Sequence, residues 1–138
     1  MFTIILTILF ISALIIAHEF GHLIVAKLFN ISVQEFSIGF PPRIWSKKIG
    51  ETKYSVNALL FGGFVKLAGE THSAAIALSD EEQKRSFSSQ PFWKKAAVVI
   101  GGVATNFIAG WFIFSILFLQ GVPQRVGISE VLRIQPRN

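Results

Sequence analysis

Apolar residues run through this chain in two long stretches, and the polar residues fall mainly between and after them. Residues 1–17 and 96–119 carry no ionisable side chain. Each stretch is long enough to cross a hydrocarbon core, which takes roughly 20 residues as helix. The first run continues into "HEFGHLIVAKLF" and predicts a helix over residues 2–29, with Asn30 as a C-cap. A second helix is predicted over 91–120, where Pro91 suits a first helical position, Phe92 and Trp93 an interface, and Lys94 and Lys95 the headgroups. It ends at "QGVP".

Between the helices the period changes. "ETKYSVNALLFGGFVKL", residues 51–67, carries β-branched and aromatic residues in partial alternation around a Gly62-Gly63 break. It reads as a bent strand or hairpin following a shorter strand over 36–40. This segment is either a small sheet packed on the connector's own core or a strand dipping to membrane depth, which is tolerated where backbone is buried in protein or lines a cavity. Residues 71–90 are polar and Ser-rich and predict a loop plus a short helix, since Ser79 and Glu82 have capping-box spacing around Asp80. His72 reads as a solvated residue. The predicted class is a mainly α membrane protein whose two transmembrane helices are joined by a connector with a small β-sheet or hairpin. The segments are 1–29, 30–90, 91–120 and an outer segment at 121–138 with one strand-like run, 126–134.

Composition sharpens this picture. Of 138 residues 51% are hydrophobic and 14 are Phe, too apolar for an ordinary soluble domain, and the length allows one domain. A cleavable signal peptide is disfavoured, because no basic residue precedes the first run and no small-residue cleavage site follows it. There is no Cys, which excludes disulfides and thiolate metal sites and leaves N and O ligands. Ten of the 13 Lys and Arg residues lie in 27–95, so the positive-inside tendency makes the connector cytoplasmic and places both termini outside. Those lysines are interleaved with Glu51, Glu70, Asp80, Glu81 and Glu82, a pattern that suits a membrane surface and not nucleic acid. Neither internal repeats nor nucleotide-binding glycine patterns occur.

Candidate chemistry sits at the end of the first apolar run. In a helix His18 and His22 share one face, so both imidazoles can reach one metal ion. Glu19 projects beside them, placed to hold and deprotonate a water on that metal. This is the H-E-x-x-H arrangement of metal-assisted peptide hydrolysis. Inside a membrane helix three such side chains are costly, which argues against a merely structural role. Gly21 removes a side chain where substrate or another helix would approach.

With "HEFGH" at 18–22, "FSIGF" at 36–40, "FGGFVKLAGE" at 61–70 and "KKAAVVIGGVATNFIAG" at 94–110, the chain resembles the site-2 proteases. These are intramembrane zinc metalloproteases, and the order and spacing resemble the bacterial branch that cleaves membrane-anchored anti-sigma factors. The resemblance implies Zn2+ as cofactor, His18 and His22 as its ligands and Glu19 as catalytic base. Gly62, Gly63 and Asn106 would contact substrate, with Asn106 matching the asparagine of the family's G-P-x-x-N pattern. It also implies a bacterial inner-membrane location, a single-span membrane protein as substrate, and a PDZ domain after the second span.

Val103 stands where that pattern has proline, and this chain has no L-D-G motif to supply the family's third zinc ligand. The expectation is therefore the N-terminal part of an intramembrane zinc endopeptidase. The alternative is a non-catalytic protein of the same fold that binds single-span partners. An exposed strand near Gly62-Gly63 would pair with an unwound substrate and hold it over the metal.

Overall fold

The computed structural model describes residues 1–71 and 78–121. His72 and the run 126–134 lie outside them. Helix α1, Phe2–Leu28, is followed by strands β1, Val33–Ile49, and β2, Thr52–Leu67, then by a short helix α2, Asp80–Lys84, and helix α3, Phe92–Leu119. Both long helices are long and apolar enough to cross a membrane, and only 11% and 17% of their most apolar windows are buried. A soluble core helix of this composition would be covered. Here Phe107 is 76% exposed and Trp111 72%.

The first helix ends one residue before the expected boundary. Phe29 is its C-cap, and Asn30 takes a left-handed conformation with φ 57° just beyond it, a position that asparagine tolerates well. Pro91 is likewise the N-cap of α3, one residue before the helix starts. Ser79 and Glu82 form the predicted capping box on α2.

The largest difference from expectation is β1, which runs to Ile49 and not just over 36–40. Its second half is exposed and carries Pro42, Arg43, Lys47 and Lys48, polar and turn-prone residues that obscure a strand pattern. This half pairs with the start of β2, from Arg43↔Asn57 to Ile49↔Thr52. The first half has partners on both sides, because Glu35 to Ile38 face Lys66 to Gly63 in falling order and Lys53 to Val56 in rising order. The antiparallel pair of strands thus folds back on itself as short extended runs, with 63–67 forming the run beside α1.

The core lies where the C-terminal half of α1, this sheet and the start of α3 meet. Leu23, Ala26, Ile31, Val33, Phe36, Leu67 and Val98 form it. Glu51, at the turn between the strands, accepts from Lys27 at 3.0 Å and twice from Arg85 at 2.9 Å, while Arg85 Nε donates to Asn30 O. Partial burial pushes the Glu51 carboxyl up, but the bonds from Arg85 and Lys27 outweigh it and hold the group below its ordinary value. One carboxylate therefore ties the end of α1 to the strand turn and to α2.

Candidate metal centre

His18 and His22 come together on the face of α1 that packs against α3, with ring centroids 4.6 Å apart and planes at 87°. The helices approach closely there because glycines line the contact. A Cβ at Gly21 would strike Gly101 O and Thr105 Oγ1, and one at Gly101 would lie 2.5 Å from Val25 Cγ2. A Cβ at Gly102 would fall 2.6 Å from His22 Cε1 and 2.8 Å from His18 Nε2. The space that both imidazoles occupy exists only because residue 102 has no side chain.

The ring nitrogens have distinct partners. His22 donates Nδ1–H to Val98 O at 2.7 Å, because a carbonyl only accepts, and in the neutral ring this leaves Nε2 with its lone pair free. Nδ1 of His18 lies 3.4 Å from Asn106 Nδ2. Glu19 points to the sheet, and Val65 donates its backbone N–H to Glu19 Oε2 at 3.1 Å. The carboxylate thus sits between helix and strand, beside a recess of about 320 Å³ that His22, Val65, Glu70 and Val98 also line. His18 faces a separate apolar recess of about 520 Å³ between Asn106, Phe107, Trp111 and Phe114.

The donors suit zinc. Two imidazoles four residues apart, one with its Nδ1 already engaged by a carbonyl, are what a zinc-binding helix presents. Among the described residues no third His, Asp or Glu completes a cluster of three, so a metal bound here would take two of its ligands from these side chains.

Gly62 and Gly63 are buried. Gly62, at φ 117°, packs on Ile15 of α1, where a Cβ would come within 3.0 Å of Cγ2. At Gly63 a Cβ would lie 2.5 Å from Ser37 O. Both glycines let β2 pass close to its neighbours, while Leu59, Leu60 and Phe61 just before them are exposed. Three groups at the site escaped the sequence reading: Val65 N–H and Val98 O, which as backbone atoms have no signature, and Gly102. A glycine pair four residues before an asparagine, inside an otherwise apolar helix, is the signal that could have marked the last.

The family model described as Peptidase family M50 matches residues 6–135. A protein of Thermotoga maritima named "Putative zinc metalloprotease" is 35% identical over 130 residues, covering 94% of this chain and 25% of the relative. One of Clostridium perfringens with the same descriptive name is 40% identical over 111 residues, 80% of this chain and 31% of the relative. Another, of Clostridium acetobutylicum, is 33% identical over 133 residues, 96% and 36%. The chain spans about a quarter to a third of the length of these relatives. With nearly its whole length matched, this chain belongs to peptidase family M50, the site-2 proteases.

Proposed function

We propose that the protein is an intramembrane zinc metalloendopeptidase that hydrolyses peptide bonds in transmembrane segments of single-span membrane proteins, of the anti-sigma-factor type by resemblance. The observation that carries this reading is Glu19, held by Val65 N–H at 3.1 Å beside the paired imidazoles of His18 and His22. Zinc bound by the two imidazoles and a third ligand would supply a Lewis acid that polarises the scissile carbonyl and makes water nucleophilic at neutral pH. Glu19 takes the proton of the attacking water and returns it to the amide nitrogen as the C–N bond breaks. Its Oε2 is fixed by the strand, which leaves Oε1 for that proton.

The β2 edge supports a role in holding substrate. A peptide bond in a helix is shielded by its own hydrogen-bonded backbone, so cutting requires an extended segment, and an extended segment pairs with a strand edge. The edge that reaches Glu19 is the run containing Val65, kept close to α1 by Gly62 and Gly63. α1 and α3 would span a bacterial inner membrane, with the connector entering from the cytoplasmic side and its Gly62 bend reaching to the level of Ile15. Phe29, Trp93 and Lys94, gathered at one end of the helix pair with rings 5.2 Å apart, suit the headgroup level on that side.

A Glu19→Gln variant of the full-length protein should keep about one zinc per molecule and lose proteolysis, because the side chain handles a proton without being a ligand. Cleavage at the wild-type rate would remove Glu19 from the mechanism. The second reading is a non-catalytic protein of the same fold that binds single-span partners. Wild-type protein that binds its partner but neither zinc nor cleaves would establish that reading.

A further inference from the structure

Val98, Gly102 and Asn106 recur at four-residue spacing on α3 and share one face, and this face meets both imidazoles. Val98 O accepts from His22, Gly102 leaves room for the rings, and the Asn106 amide stands 3.4 Å from Nδ1 of His18. The carbonyl fixes His22 as the tautomer with Nδ1 protonated and Nε2 bare. His18 needs the same tautomer if it is to bind a metal through Nε2, and it has no backbone carbonyl at Nδ1. Among the described residues His18 is the polar partner of the Asn106 side chain, and Asn106 Oδ1 is buried without a partner. Half a turn of the amide exchanges its oxygen and nitrogen in nearly the same place.

We infer that Asn106 is a positioning residue for His18: with Oδ1 turned to the ring it accepts the Nδ1–H proton, as Val98 O does for His22, and leaves Nε2 free toward the metal. This rests on the zinc reading above and gives Asn106 a role different from contact with substrate. It also explains why one face of α3 combines a carbonyl, a glycine and an asparagine in step with two histidines on α1. Partners of this kind raise the basicity of a ligand and hold its ring in orientation.

The test begins with metal-free full-length protein labelled with 15N-histidine in detergent micelles, where ring shifts distinguish protonated from bare nitrogens. His18 and His22 should both carry the proton on Nδ1. In Asn106→Leu, close in size but without an acceptor, His18 should populate the Nε2–H form while His22 stays unchanged. Cobalt(II), used as the probe ion, should bind that variant about 10–100-fold more weakly. Asn106→Asp, which keeps the acceptor, should bind cobalt at least as well as wild type and keep its absorption spectrum. A wild-type His18 protonated at Nε2 overturns the inference. So does an Asn106→Leu variant with unchanged His18 tautomer and cobalt affinity that only raises KM, the signature of a substrate contact. If wild type shows the expected tautomers but binds no metal, the zinc reading fails while the Asn106–His18 pairing stands.

Discussion

Val65 and Glu19 are joined by a 3.1 Å hydrogen bond from the strand's backbone N–H to the helix's carboxylate. A proline at 65 deletes this donor. Bonds to charged groups are worth roughly 1.5–3 kcal/mol, so Val65→Pro should lower cleavage about 10–100-fold while zinc content holds. Parallel metal analysis and cleavage of one substrate check this. Unchanged cleavage would mean that Glu19 is oriented without the strand.

Gly102→Ala tests the space around the imidazoles. In an unobstructed helix alanine in place of glycine is favourable by about 1 kcal/mol, but here the added carbon falls within 2.8 Å of both rings. Zinc affinity should drop at least about tenfold, in the range lost when ligand orientation is disturbed. A variant that melts higher and binds zinc as wild type does would show that the rings have room to spare.

For the glycines of β2, the expectation concerns substrate. Gly62→Val forces a branched residue to φ 117° against Ile15, which pushes the strand off α1. Cleavage of a substrate with a stable transmembrane helix should fall more than cleavage of one weakened by Gly or Pro near the cut, because the latter depends less on being held extended. Equal losses on both substrates, with zinc retained, would limit the glycines to packing.

The Glu51 network predicts a pH dependence of stability. Its carboxyl is held below the ordinary value of about 4.5 in the folded protein, so its contribution is present above that value and is lost as pH falls through the lower folded one. Exposed pairs of this kind contribute up to about 1 kcal/mol each. Glu51→Gln should therefore lower the melting temperature modestly at pH 7, with the gap to wild type closing below about pH 4.5. A gap that persists in acid would assign the effect to packing.

How much of this could be read from the chain depends on where the information sits. The two apolar runs specified α1 and α3 to within a residue at each end, since length and hydropathy leave little choice. The convergence of His18 and His22 was legible because helical spacing alone puts the histidines on one face. The course of β1 was not, because residues 43–49 are exposed and their pairing with 52–57 is set by the partner strand and not by their own pattern. Nor were the groups that orient the site, because which carbonyl or amide meets an imidazole depends on the register between two helices far apart in sequence.

The contact between β2 and α1 bears on how such a protein is assembled. Gly62 meets Ile15, half-way along a 27-residue helix, so the bend of the strand, with Leu59, Leu60 and Phe61 outward, lies level with the middle of the bilayer when α1 spans it. A hairpin cannot be threaded into lipid as a helix is, because its edge amides would be left without partners. It has to slide in along helices that are already placed, its exposed apolar side toward the lipid. Until it does, Glu19 lacks the strand amide that holds it. On the proposed reading, that order of assembly would leave the centre idle during biogenesis, with the carboxylate oriented for hydrolysis only when the last piece has docked.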